Sequence, residues 1–231
     1  MKASAIANLA LWVAPTLLLG QSASPPTNLI NPAGSNLEDA YQVNYAANLN
    51  IADGVVNVTN AGGSAGATAP TSSNTAGDIC ANVYVYQPNE QLAACCSCLT
   101  TPNGLYAWPV IFGPSALLTN VANKPNSVVI KLVATSPGTD AATGNPVCDA
   151  TFQTAPLSLV PGLAAWGTHP HRTPTSAIGI TETVFDKRGL SLGEAMKLQN
   201  DCNGLGTGGQ CPTCLNMGLA RPTVAATGPS F

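Results

Sequence analysis

Sulfur constrains this chain more than any other feature. Three cysteines stand within four positions of "QLAACCSCLTTPNG", residues 91–104, and the chain holds 8 in all: Cys80, Cys95, Cys96, Cys98, Cys148, Cys202, Cys211 and Cys214. An even set in an exported chain defaults to disulfides. If residues 91–99 form a strand, Cys95 points to one face and Cys96 and Cys98 to the other. Neighbours on opposite faces do not bond to each other without straining the backbone, so the trio needs separate partners. Cys80 lies on the preceding strand, near the level of 95–98. Cys202, Cys211 and Cys214 fall in a glycine-rich segment, "CNGLGTGGQC" and beyond, that has little else to hold it. The expectation is that all eight are paired and that the C-terminal cysteines staple the helix and tail to the CCSC strand. Closing loops of roughly a hundred residues contributes about 4–5 kcal/mol each in the chain-entropy description. "CPTC", 211–214, also has the C-x-x-C spacing of a redox centre or half a zinc site, and Cys96 and Cys98 would complete a thiolate set. The oxidising compartment, the lack of a second C-x-x-C and the helix that precedes the motif favour cross-links over metal or redox chemistry.

That compartment is read from the N-terminus. Lys2 supplies a short positive region, Ile6 to Leu19 an apolar stretch broken by Pro15, and Gly20, Ser22, Ala23 and Ser24 a small-residue cleavage zone. This is signal-peptide anatomy, with cleavage between residues 20 and 24. The stretch is shorter than the roughly 20 residues of a membrane span, and no later run supplies one. A secreted mature protein without a transmembrane segment is expected. The terminal Phe231 does not make an outer-membrane barrel, because "RPTVAATGPSF" lacks apolar alternation. Charged residues are only 8% of the chain, against roughly 25% in an average soluble protein. A net charge of −3 without a basic cluster leaves nothing to neutralise a phosphate backbone, which excludes a nucleic-acid partner.

Along the chain, residues 25–50 read as an extended lead-in. "DGVVNVTN", 53–60, reads as a strand with Val56 and Val58 on one face and Val55 and Asn57 on the other. Residues 61–77 are Gly/Ala/Ser/Thr-rich and read as a loop. "DICANVYVYQPNEQLAACCSCLTT" is a hairpin around the turn "QPNE". "LYAWPVIF", 105–112, is confined to an edge or a bulge by Pro109. "NSVVIKLVAT", 126–135, is the strongest strand, with Val128, Ile130 and Leu132 on one face. Shorter strands fit 156–160, 163–167 and 175–185. One segment, 190–202, asks to be a helix: Ser191 and Glu194 have capping-box spacing, and Ala195, Leu198 and Cys202 share a face. The fold class expected is all-β: an antiparallel, immunoglobulin-like β-sandwich over 51–215 with long loops, one short C-terminal helix, disulfide staples and a flexible tail at 216–231.

Candidate sites are sparse. His169 and His171 in "THPHR" share a face if extended, as two copper or zinc ligands do, but Pro170 argues for an exposed turn. Asp149, Glu182 and Asp186 are the carboxylates to consider, with nothing that brings them together. Tyr84, Tyr86, Tyr106 and Trp108 form either a sugar-stacking strip or core packing, and packing is preferred for residues this large. Asn57 heads a glycosylation sequon. No hydrolase, zinc-protease or nucleotide-binding motif occurs. No catalytic or cofactor-binding residue is assigned, no cofactor is expected, and the only metal candidates are His169, His171, Cys211 and Cys214.

The run "GDICANVYVYQPNEQLAACCSCLTTPNGL", 77–105, resembles a group of uncharacterised exported bacterial proteins, with "SVVIKLVAT", "AWGTHPH", "ITETVF" and "CPTC" in the same order. The resemblance covers most of 50–215. It implies export and the same cysteine usage, and nothing about chemistry. The reading is a secreted, non-enzymatic structural, matrix or surface-assembly protein, with self-assembly or an extracellular surface as its partner. Extended ends such as 25–50 and 221–231 would pair with a neighbour's open sheet edge. The alternatives are an exported glycan- or metal-binding module and a cryptic secreted hydrolase.

Overall fold

The computed structural model describes residues 39–63, 77–119, 121–152 and 157–205. The leader at 1–24, most of the 61–77 loop, Cys211, Cys214 and the tail at 216–231 lie outside the described residues. Eleven strands and one helix follow in order: β1 (Tyr41–Ala46), β2 (Val55–Asn60), β3 (Ile79–Tyr86), β4 (Leu92–Thr100), β5 (Leu105–Pro109), β6 (Val128–Thr135), β7 (Gly138–Thr139), β8 (Pro146–Val147), β9 (Leu163–Arg172), β10 (Ile178–Val184), β11 (Asp186–Lys187) and α1 (Leu192–Gly204). A five-stranded sheet runs β11-β1-β6-β3-β4, a four-stranded sheet runs β10-β9-β2-β5, and β7 and β8 pair alone. Every pairing is antiparallel.

Strongly alternating segments take the central places. β6 holds the middle of the larger sheet, and its Val128, Ile130 and Leu132 are buried. β3 and β4 form the hairpin expected around 87–90, where Glu90 adopts φ 65° to complete the turn. Pro109 closes β5, which is an edge strand, as a residue without an N–H requires. One hydrophobic cluster takes Val83, Cys96, Cys98 and Leu132 from the larger sheet and Val58, Trp108 and Ala165 from the smaller, so the two sheets pack on one another. A second cluster covers the other face of the larger sheet. There Tyr84, Cys95 and Val133 meet Phe152, Leu157 and the α1 residues Leu198 and Cys202.

α1 begins at Ser191, whose Oγ accepts from the Glu194 N–H at 3.1 Å. The Glu194 carboxylate does not return to close a capping box. It accepts instead from Lys131 Nζ of β6 at 2.6 Å, which ties the first turn to the sheet. At the other end, Cys202 bonds to Cys95 of β4, and Cys80 bonds to Cys148. Cys96 is also in a disulfide.

Three expectations need correction. Residues 41–46 are not a lead-in but β1, lying between β6 and β11, so the sheets begin before residue 51. The strand escaped notice because its pattern is inverted. Gln42 and Asn44 face the other sheet and are buried. Gln42 Nε2 donates to Leu163 O at 2.7 Å, and Asn44 Nδ2 donates to Thr183 Oγ1 at 3.2 Å. Buried amides with partners of this kind are stable where unpartnered ones are not. The candidate strand at 156–160 reduces, among the described residues, to bridge positions at Leu157 and Leu159, the latter opposite Thr135.

Cys98 is not cross-linked. It is a buried free thiol facing the inter-sheet cluster, and the residue opposite it on β3 is Ala81. No cysteine of β3 presents a sulfur to it. Burial pushes its thiol pKa far above the usual range, so it stays protonated and inert. Native protein treated with iodoacetamide should therefore yield unmodified Cys98 by peptide mapping, and denatured, unreduced protein should yield it fully alkylated. Alkylation of the folded form at the rate of a free peptide thiol would contradict this burial.

Candidate functional site

The densest ionisable constellation lies between α1 and the larger sheet. Tyr41 Oη donates to Glu194 at 3.4 Å, beside the Lys131–Glu194 ion pair. Tyr86 Oη donates to Asp201 Oδ2 at 2.8 Å, and Lys197 Nζ donates to the same oxygen at 2.6 Å. Lys131 Nζ also sits 4.7 Å from the Tyr86 ring centroid. Burial is the main cause that raises the pKa values of Tyr41 and Tyr86, and the neighbouring carboxylates add to it, so both phenols stay protonated donors. Each of the two carboxylates holds a lysine and a tyrosine. The cluster is a clamp that seats α1, and it leaves no ionised group poised towards a substrate.

The sequence candidates separate in space. Asp149 is buried in the 149–151 turn, where its carboxylate accepts from Thr151 N–H and Oγ1. Glu182 is on β10 and Asp186 on β11, beside Arg188. The aromatic strip does not form. Tyr84 and Tyr86 face the α1 side of the larger sheet, whereas Trp108 is buried between the sheets with Tyr106 stacked on it at 5.5 Å.

His169 and His171 are not on a turn. Both lie on β9, which runs through Pro170 and pairs with β10. Pro170 is tolerated because its carbonyl accepts from Asn48 Nδ2 at 3.1 Å. That side of the residue faces away from β10, so the missing N–H removes no bond of this ladder. His169 Nε2 lies 2.6 Å from Thr183 Oγ1, and His171 Nδ1 lies 3.5 Å from Thr181 Oγ1. Partial burial lowers the pKa of His169. Among the described residues, no three His, Cys, Asp or Glu side chains are grouped to hold a metal ion. Cys211 and Cys214 lie outside those residues.

The β9–β10 hairpin carries what the sequence did not announce. Register fixes which side chains share its outer face: Ile178, Ile180, Glu182 and Val184 of β10 stand opposite Arg172, Pro170, Thr168 and Trp166 of β9. Val55, Asn57 and Thr59 of β2 and Leu105, Ala107 and Pro109 of β5 continue the same face. Pro170 excepted, none of these residues is buried, and Glu182 and Arg172 are the only charges among them. Ile178, Ile180 and Val184 are 51%, 67% and 80% exposed. Among the described residues, one outer face is thus roofed by a disulfide-pinned helix, and the other is largely apolar and uncovered.

No known family model, curated protein or solved structure matches the chain. Function must therefore be argued from this asymmetry.

The sheet edges repeat it. β11 is a two-residue edge of charged side chains, β5 is short and ends in proline, and β4 is buried along most of its length. These are the usual ways of blunting an edge. β10 is long and exposed, and Glu182 is its single charge. Its seven residues, "IGITETV", carry no lysine, no proline and no bulge. The backbone parity is fixed at both ends of the hairpin, where Thr173 N–H donates to Ala177 O at 2.9 Å and Phe185 N–H to Ala165 O at 3.0 Å. Alternation then turns the N–H and C=O groups of Gly179, Thr181 and Thr183 towards β9 and those of Ile178, Ile180, Glu182 and Val184 outwards. A shallow depression of about 450 Å³ lies beside Val184, lined also by Val43, Tyr45, Val129 and the ion-paired Asp186 and Arg188. No helix among the described residues is long and apolar enough to cross a membrane.

Proposed function

We propose that this protein is an exported, non-enzymatic structural component of an extracellular surface or matrix, built on an immunoglobulin-like β-sandwich. Two antiparallel sheets with a common core support the sandwich. The disulfides fit the oxidising compartment that the leader implies. The bare outer face of the four-stranded sheet carries the reading. An apolar face of this extent on a chain with so few charges marks a surface that works covered. The partner is a neighbouring macromolecule rather than a small ligand, because the polar and charged groups of the face, Asn57, Thr59, Thr168, Arg172 and Glu182, are spread over three strands rather than convergent.

The test uses positions remote from β10. Leu105→Lys with Ala107→Lys puts two charges on the exposed side of β5. Wild-type protein expressed with its own N-terminus should be retained in the cell-surface or insoluble extracellular fraction. The double variant should appear soluble in the medium with an unchanged melting temperature. Wild-type protein held in the cytoplasm with reduced thiols, or equally soluble with and without the two lysines, would refute the proposal.

A further inference from the structure

We infer that the free edge of β10 is a homodimer seam, along which β10 pairs antiparallel with β10 of a second copy about a two-fold axis through Thr181. This deepens the surface-assembly reading and rests on it. Three observations select a second copy of this chain as the occupant.

The first is the edge itself. Four alternate residues, Ile178, Ile180, Glu182 and Val184, point outwards with N–H and C=O groups that have no partner among the described residues. Of the four edges of the two large sheets, this one alone is, among the described residues, long, exposed and free of lysine, proline and bulge, with Glu182 its single charge. An edge of that kind pairs with whatever strand presents the matching pattern.

The second is self-complementarity. Thr181 is the midpoint of Ile178–Val184, so a two-fold through it overlaps the whole strand and no other register does. Ile178 then stands opposite the partner's Val184, and Ile180 opposite the partner's Glu182. Both pairs are of the hydrogen-bonded type, because their backbone groups already point outwards. The two Thr181 residues face each other as a non-hydrogen-bonded pair.

The third is charge. Centring the axis on Glu182 would set two carboxylates directly opposite one another, a destabilising arrangement. Centring it on Ile180 would place Glu182 against Ile178 and leave Val184 without a partner. The Thr181 register separates the two carboxylates and pairs the apolar ends. It also joins two bare four-stranded faces into one eight-stranded apolar face, which a single copy cannot present. Seven residues at about 3.4 Å each give a ladder of about 24 Å. That is a small interface, of the class that dissociates in the micromolar range.

Sedimentation velocity on the purified full chain, from about 1 to about 500 μM, reads the association directly. Position 180 is exposed, so its variants fold, which an unchanged melting temperature checks. Ile180→Glu places a second carboxylate opposite Glu182 in both symmetry-related pairs, and Ile180→Lys places an ammonium there. The lysine variant should dimerise about tenfold more tightly than the glutamate variant. Thr181→Cys should cross-link to its own symmetry mate under mild oxidation, since facing Cα atoms in such a pair are about 4.5 Å apart. Thr183→Cys should not, because its opposite number is Gly179. A strictly monomeric wild type across the range, equal weakening by lysine and glutamate, or Thr183→Cys cross-linking as fast as Thr181→Cys would each overturn the seam. A monomer still retained at the cell surface would sink the seam and spare surface assembly. A monomer free in the medium would sink both.

Discussion

Replacing Cys202 with alanine should lower the free energy of unfolding by about 3–5 kcal/mol and release α1 from the sheet. The Cys95–Cys202 bridge spans 107 residues, long enough that opening it restores about 4–5 kcal/mol of chain entropy to the unfolded state. Little else would hold the helix as firmly. Thirteen residues are too few for a stable isolated helix in water. The Lys131–Glu194 and Lys197–Asp201 pairs are partly exposed and so worth little each. What remains is the burial of Ala195 and Leu198 and the hydrogen bonds from Tyr41 to Glu194 and from Tyr86 to Asp201. Urea titration followed by tryptophan fluorescence measures the loss, and hydrogen exchange measures the release, with α1 amides exchanging ahead of those in β6. Cys95→Ala should cost the same, and the double variant no more than either alone. A loss under about 1 kcal/mol would mean that the bridge decorates a helix already fixed by packing.

The elements that were readable in the sequence are those whose apolar period matches the way they are buried. β6 alternates and sits centrally. In α1, Ala195, Leu198 and Cys202 fall on one stripe, and that stripe is the buried one. In β4, alternation alone sends Cys95 towards the helix and Cys96 and Cys98 towards the other sheet. Where polarity and burial part company, the reading failed. β1 buries Gln42 and Asn44 against the opposite sheet while Tyr45 is exposed. No periodicity argument finds a strand whose inward face is amide, because the hydrogen bonds that make it stable come from residues over a hundred positions away. β9 runs to Arg172, past the 163–167 that the sequence suggests, because the cost of proline in a strand depends on which side its missing N–H would face, and only the pairing reveals that. The candidate surface was hidden for a related reason. Ile178, Ile180 and Val184 alternate as core residues do. Alternation states that a strand has two faces. It does not say whether anything covers the second one.

Trp108→Ala on the opposite face of β5 should cost about 3–5 kcal/mol, the range for emptying a large aromatic site in a core, and lower the melting temperature by roughly 6–20 °C. Trp108 is 0% exposed, stands opposite Val56 in the register of β2, and stacks on Tyr106 with the rings 8° from parallel. Tyr106 in turn donates to Leu99 O at 2.7 Å, which links the edge of one sheet to the last strand of the other. A cavity at 108 therefore loosens the closure between the sheets as well as the packing around the indole. Leu105→Ala is the control, because Leu105 is on the outer side of the same strand at 59% exposure, where truncation changes stability by about 0.5 kcal/mol or less. The contrast between the two also separates a structural protein from a sugar-binding one. An indole that stacks on a glycan must be reachable, and its removal would abolish binding while leaving the fold intact. Trp108→Ala with wild-type stability and lost affinity for an oligosaccharide would require β5 to be turned over. Leu105 and Ala107 would then face inwards, and the apolar face on which surface assembly depends would no longer exist.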